Sequence, residues 1–430
     1  MIRVGFSTTD ITPEIGRSIP GGYAPRVSTG VLDPLQVRAC VVEGTGGSVA
    51  VAGVDAVSLR FDTVEKARRR ISAESGMPER NVIVAASHTH SGGPSNDVLG
   101  TDSDEAYCER IAAGVAEAVL VARSRLQRAE IACATGRSDG WAFNRRFRMR
   151  GGGEQTNPRK GHPDAIGPAG PVDPDVGIIA FRNEAGRVLG AVSNFACHCT
   201  VVGGDKFSGD YPAYWQQALR ELIGPEFTLV FLNGACGDIN QLNFANPAVR
   251  ESGIEWARRM GCALAKETMR SLEDCAFAAE ARVAAAHGEV EVAYRRPPEA
   301  ALAGARRLFE SDAPWDGKKW LARDVVLLAE QVGDAKGMVC PVDVILVGRA
   351  AIAAAPWQPF CEFGLRIKEA SGFRPTLVAA FANGMVGYVP TPHAFEAGGY
   401  EPTLCRGSKL QPDAGDLIIA ETIRLLRTLG

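Results

Sequence analysis

The 430-residue chain predicts a single large α/β domain, residues 1–430, with a mixed β-sheet core flanked by helices. Two observations carry this. Short strand-like runs alternate with helical stretches along the whole length, and no internal repeat, low-complexity tract or clear linker divides them. Length alone permits two or three domains, but mixed elements throughout favour one.

The elements follow in order. Val37 to Glu43 and Val49 to Val54 read as a hairpin turned at Gly44-Thr45-Gly46-Gly47. Phe61 to Glu74 has helical spacing, with Asp62 as its expected N-cap. Val82-Ile83-Val84-Ala85-Ala86 is a buried strand, and Asp104 to Leu126 a long amphipathic helix. Met149 to Asp175, rich in Gly and Pro, reads as a loop, either functional or a surface excursion, with its His162 facing solvent. Val192 to Cys197 is an apolar strand run. Tyr211 to Leu222 is a helix stopped by Gly224-Pro225, Phe227 to Leu232 a buried strand, and Ile254 to Leu272 a helix. Two helices are expected in an insertion at about residues 297–333. Val342 to Val347 and Ala350 to Ala355 resume the sheet, and Asp413 to Leu426 closes the chain as a helix.

A formal net charge of -3 gives no reason to expect nucleic acid or an anionic membrane as partner. No run approaches the ~18 apolar residues of a membrane span, and the N-terminus lacks a signal-peptide core. Eleven cysteines, odd in number and scattered, suit a reducing cytoplasm rather than a disulfide framework. Cys197 and Cys199 flank His198, but strand alternation would point both away from it, so they are expected to be buried thiols.

Two of only six histidines stand one residue apart, in His88-Thr89-His90-Ser91. They follow the strand at Val82–Ala86 and precede Gly92-Gly93-Pro94. In extended backbone, positions i and i+2 face one side, so both imidazoles would enter one cavity. Such a pair either bonds to nearby backbone or holds a metal. His198 ends another apolar run, which suggests that two strand ends deliver histidine to one site.

These motifs together resemble the catalytic domain of the neutral/alkaline (non-lysosomal) ceramidase family, which is zinc-dependent. The likeness is carried by Ile11-Thr12-Pro13 and Gly16, Asn81 to Pro94, Asn144-Arg145, Asn194 to Thr200, Gly237-Asp238, and Asn383 to Glu401 with Gly387-Tyr388-Val389-Pro390-Thr391-Pro392. The resemblance implies that zinc (Zn2+) is held by His88, His198 and Tyr388, with His90 beside the metal, Arg145 on the developing oxyanion and Tyr400 facing the site. Three departures stand out. Asn240 replaces the family's serine after Gly-Asp. Gln358, in Pro356-Trp357-Gln358, replaces its glutamate ligand. The family's C-terminal immunoglobulin-like domain has no counterpart here. Ceramide itself is therefore not the expected substrate.

A catalytic zinc needs about three protein ligands and one open position. His88 and His198 supply two. Gln358 offers a neutral amide oxygen, and Glu362, one helical turn on, could supply charge instead. Asp55 and Asp210 could ligate, orient a histidine or, for Asp210, cap the following helix. With no serine at 240, direct attack by metal-bound water is expected, with His90 shuttling a proton at a pKa near neutrality. Trp141, Phe143, Trp357 and Phe360 are candidate pocket walls. The expected function is zinc-dependent hydrolysis of an amide-type bond in a small or amphiphilic substrate. The alternatives are a metal-dependent lyase or isomerase, and a non-catalytic binding protein derived from a hydrolase.

Overall fold

The structure is a computed structural model describing residues 1–430. Eight strands form the first sheet: β1 (Ile2–Asp10), β2 (Gln36–Gly44), β3 (Gly47–Val54), β4 (Val82–Ala86), β5 (Gln127–Arg137), β6 (Asp175–Asn183), β7 (Val188–Phe195) and β8 (Thr228–Asn233). Their order across the sheet is β8-β7-β6-β5-β1-β2-β3-β4. The β7–β8 and β3–β4 pairs at its two edges are parallel and the inner pairs antiparallel, so the sheet is mixed as expected. The hairpin β2–β3 closes with Gly44 opposite Gly47.

Val342 to Val347 and Ala350 to Ala355 do not resume this sheet. They belong to a second one, β9 (Val283–Ala293), β10 (Gly337–Val347), β11 (Ala350–Ala354) and β12 (Thr376–Ala379), in that order. The two sheets stack face to face. One core cluster joins Val42, Val51, Ile83, Ile179 and Leu232 of the first sheet to Ile345, Ile352 and Leu377 of the second. Stacked sheets interdigitate side chains in this way.

Helices cover both outer faces. On the first sheet lie α1 (Phe61–Ser75), α2 (Glu105–Ser124), α3 (Tyr211–Ile223) and α4 (Ile254–Glu273), packed through Ile71, Val115, Trp215 and Leu264. The second sheet carries α7 (Cys361–Ala370) and α9 (Ala414–Leu429), packed through Phe363, Ile367, Ile418 and Leu425. Between β9 and β10 stand the paired helices α5 (Glu299–Glu310) and α6 (Gly317–Val332), and α8 (Pro392–Ala397) lies before α9. The layers are helix, sheet, sheet, helix, and strands covered on both faces read as continuous apolar runs rather than alternating ones.

Local chemistry sets several helix ends. Asp104 caps α2 by accepting from the Tyr107 N–H at 3.1 Å. Asp62 is not the cap of α1: Arg60 occupies that position, and Asp62 sits in the first turn, gripped by Arg60 at 2.6 Å. The stretch 149–175 holds two short strands, Glu154–Thr156 and Ala165–Pro168, flanking Arg146–Met149 in a small sheet. All eleven cysteines are free thiols, and no helix is long and apolar enough to cross a membrane.

Candidate active site

Two loops from distant parts of the chain deliver the three histidines. β4 ends at Ala86, and the chain then leaves extended geometry: His88 has φ 67°, a left-handed conformation that a non-glycine residue holds only under surrounding constraint. The constraint is visible. The His88 N–H donates to the Ala56 carbonyl at 2.9 Å, and the ring stacks on Phe381 at 4.0 Å between centroids. Phe381 and Asn383 are left-handed too, at φ 54° and 64°. The shared cavity of His88 and His90 thus arises from a kinked loop, not from strand alternation. His198 lies three residues past the end of β7 and is fully buried.

The imidazoles converge. Ring centroids of His88 lie 4.8 Å from His90 and 4.7 Å from His198, and one ligand nitrogen from each of the three falls within 4.8 Å of the others. The hydrogen bonds define the tautomers. His88 Nδ1 faces the Val57 carbonyl at 2.6 Å, His198 Nδ1 faces the Cys236 and Ile239 carbonyls at 2.6 and 2.9 Å, and His90 Nδ1 faces the Gly21 carbonyl at 3.0 Å. A carbonyl only accepts, so each Nδ1 carries the proton and each Nε2 presents a lone pair. Gln358 meets two of these lone pairs, its amide nitrogen lying 3.1 Å from His88 Nε2 and 3.0 Å from His198 Nε2, and so donates to both. His88 and His90 instead set Nε2 against Nε2 at 3.3 Å. With both protons already on Nδ1, no hydrogen joins that pair.

No proton is available from solution at neutral pH either. Burial pushes the His88 and His198 pKa values well below 6.5, helped by neighbouring imidazoles and the Arg145 charge. His90 is lowered to about 4, again chiefly by burial, with Arg26 and Arg145 adding to it. The expectation of a near-neutral pKa for His90 is therefore not met: it sits unprotonated in a half-buried, cation-flanked place.

The remaining expected residues fall as follows. Gln358 is 2 % exposed, on a short strand Gln358–Pro359 that pairs with Tyr388–Val389, which sets Gln358 beside Tyr388. Tyr388 accepts from Arg145 Nη2 at 3.0 Å, and burial raises its pKa, so its hydroxyl keeps a proton to donate. Tyr400 stands edge-on to Tyr388 at 5.7 Å and to Tyr23 at 5.9 Å. Arg145 is spanned by Glu401 (Nε, 2.9 Å), the Gly237 carbonyl (Nη2, 2.7 Å) and His198 Nε2 (Nη1, 3.3 Å). His88, His90, Gln358, Tyr388, Tyr400 and Glu401 line a cavity of about 140 Å³, whereas Arg145 lies behind its wall and reaches it through the Tyr388 hydroxyl.

Other candidates are not brought in. Glu362 is exposed, in the first turn of α7, away from the imidazoles. Asp55 forms a buried ion pair with Arg38 at 3.0 Å, and Asp210 caps α3 by accepting from the Tyr211 N–H at 2.6 Å. Asn240 is buried but spent on Asn157 at 2.9 Å and the Leu242 N–H at 3.0 Å. His162 accepts from the Asp164 N–H at 3.1 Å, far from the cluster in sequence and outside the cavity lining. Cys197 and Cys199 are core thiols. Trp357 and Phe360 are buried in the outer core of the second sheet, Trp141 packs against Trp256, and Phe143 lines a different cavity, so none walls the histidine cavity.

Sequence reasoning assigned no role to Glu401, Gly21 or Arg26. Glu401 is fully buried and accepts from Arg145, from Arg146 at 2.6 Å and from Thr156 at 2.7 Å, holding both guanidiniums. Arg26 donates to the Pro20 and His90 carbonyls at 2.8 and 2.6 Å, folding the Gly21 loop over His90. Gly21 has φ 97°, and a Cβ there would fall on the His90 ring, so only glycine fits. These partners are joined across long stretches of chain; the local signal was Gly21-Gly22 alone.

A helix–sheet–sheet–helix protein with a buried cluster of three lone-pair-presenting imidazoles is the class that fold and site define. Residues 2–212 match the family described as neutral/alkaline non-lysosomal ceramidase, N-terminal. A neutral ceramidase of Pseudomonas aeruginosa is 26% identical over 211 residues, which is 46% of this chain; the chain spans 30% of that relative's length. The crystal structure of neutral ceramidase from Pseudomonas aeruginosa superposes on 100% of this chain and 74% of its own, with TM-score 0.75 and 19% identity. A ceramidase complexed with C2 gives TM-score 0.74 at 18% identity, over 100% of this chain and 75% of its own. At those identities the two structures speak to the fold.

Proposed function

We propose that this protein is a metal-dependent hydrolase of an acyl amide, with zinc the first candidate ion. The observation that carries the reading is the 3.3 Å contact between His88 Nε2 and His90 Nε2. Two facing lone pairs repel unless a cation lies between them. Three neutral imidazoles with fixed tautomers, each oriented by a backbone carbonyl, are a donor set suited to zinc. His88, His90 and His198 would hold the ion. Gln358 and Tyr388 line the same cavity and would offer further oxygen donors, Gln358 once its amide turns over. A bound divalent ion supplies a water nucleophilic near neutral pH and polarises an acyl carbonyl.

The chain's own residues do the rest. The Gly21 carbonyl holds the His90 ring so that its one free lone pair, on Nε2, faces the place an ion would take. Tyr388, polarised by Arg145, points a hydroxyl into the cavity as the donor for a developing oxyanion. Glu401 keeps Arg145 in position and offsets its charge. Tyr400 and Tyr23 extend the aromatic wall outward, suited to an amphiphilic substrate. Nothing in this geometry rejects a sphingolipid amide, so the expectation that ceramide is excluded is not carried forward. A cytoplasmic location remains part of the proposal, resting on eleven free thiols.

The test is metal analysis of the purified protein followed by assay of a fluorogenic ceramide and short N-acyl amides in isotopic water. Zinc content lost in His88→Ala, with solvent oxygen in the released acid, supports the reading. Turnover without solvent oxygen would indicate a lyase or isomerase. No metal and no turnover, with His88→Ala unchanged, would indicate a binding protein.

A further inference from the structure

The α5–α6 pair is tied to the histidine cavity by two consecutive side chains of α6. Asp324 is 1 % exposed, and Arg406 donates to it twice, from Nε at 2.6 Å and from its backbone N–H at 2.8 Å. Arg323 donates to the Leu99 carbonyl at 3.0 Å and from its other terminal nitrogen to both Asp102 oxygens at 2.8 Å. Leu99 is held left-handed, at φ 45°. Leu99 and Arg406 both line the cavity, as does Gln331 of α6 itself. The loop at 96–101 follows the histidine motif and the loop at 405–409 follows Tyr400, so α6 joins two walls that the chain supplies from opposite ends.

We propose that α5–α6 is a fixed cap over the mouth of the cavity, and that Asp324 and Arg323 are positioning residues that set which substrates enter; this rests on the hydrolase reading above. The chemistry is that of a forked, water-excluded ion pair. Both Asp324 oxygens are taken by one residue's side chain and backbone, so Arg406 has one place to sit. Neutralising Asp324 leaves the Arg406 guanidinium only the more distant Asp97, at 3.9 Å, and frees the 405–409 loop, which widens the mouth. Small substrates would notice little; long-chain ones would gain access.

The experiment uses the full-length, metal-loaded protein as Asp324→Asn and Arg323→Ala variants. The first readout is the ratio of kcat/KM for a long-chain N-acyl amide to that for its N-acetyl analogue. It is expected to shift by about tenfold, through KM, with kcat for the short substrate unchanged. The second is the maleimide labelling rate of Cys405, which is 7% exposed in the same loop, read by mass spectrometry against the exposed Cys262. That rate is expected to rise by about tenfold, since labelling follows accessibility. Faster labelling with an unchanged ratio would make the contact merely structural and overturn the proposal, as would no change in either. Should the wild type hydrolyse no amide, the functional reading fails, and Cys405 labelling alone decides whether the cap holds the mouth. Should Asp324→Asn not fold, Arg323→Ala decides, because its carboxylate partner Asp102 is exposed and stays solvated when the pair is broken.

Discussion

Replacing Gln358 by Glu is expected to tighten zinc binding, and the structure gives the size of the effect. In the structure the Gln358 amide donates to His88 and His198 at 3.1 and 3.0 Å, using the two lone pairs that an ion needs. Zinc must break both bonds to enter. Each neutral hydrogen bond is worth about 0.5–1.5 kcal/mol net. Together they oppose binding by about 1–3 kcal/mol, or roughly 5- to 150-fold in Kd. A carboxylate has no proton to donate there, so Gln358→Glu removes this competition and adds an anionic ligand. The gain should therefore be at least about fivefold. Zinc competition against a chromophoric chelator at pH 7.5 measures it, with His198→Ala as the control that abolishes binding in either background. Unchanged or weaker zinc binding in Gln358→Glu would refute the argument, because an amide that blocks the lone pairs cannot be removed without effect.

Three further outcomes follow from the same geometry. Gly21→Ala should fold but lose at least about tenfold in kcat, since its Cβ displaces His90; a crystal structure or imidazole NMR signals of the variant would show the ring moved. Glu401→Gln should lower stability by about 3–5 kcal/mol in urea unfolding, because Arg145 is left a buried cation without a carboxylate while Arg146 keeps only Glu154, and should reduce turnover through Arg145 and Tyr388. The metal-free protein should lose stability as pH falls from 6.5 towards 4. His90 has a folded pKa of about 4, below its unfolded 6.5, so the unfolded chain takes up the proton first; its share is at most about 3 kcal/mol, and His90→Asn should flatten that part of the profile.

How much of this was legible in the chain depended on the range of the interaction. The helices were readable because their determinants are local: Asp210 as a cap, Gly224 as a stop, apolar residues at helical spacing. Seven of the twelve strands were read; Ile2–Asp10, Gln127–Arg137, Asp175–Asn183, Val283–Ala293 and Thr376–Ala379 were not, nor was the division into two sheets. β10 and β11 are buried on both faces, and a run such as Ala350–Ala354 has no polar alternation to say which neighbour it joins. The aromatic walls went wrong for a related reason: Trp357 and Phe360 stand next to Gln358 in sequence, yet they turn into the core while Gln358 turns to the imidazoles.

The candidate site was legible in its histidines and not in their supports, and that asymmetry has a physical origin. Imidazoles are scarce, so two of them at i and i+2 beside a strand end stand out against the composition. Carboxylates, arginines and glycines are common, so Glu401, Arg26 and Gly21 carry no mark of their own. They become visible when the fold brings position 401 to position 145, or position 21 to position 90. Those supports convert a coincidence of histidines into a cluster with defined tautomers. Without the Gly21, Val57 and Cys236 carbonyls each ring could place its proton on either nitrogen, and His90 could donate to His88. With them it cannot, and the unshared pair at 3.3 Å becomes a site that asks for a cation.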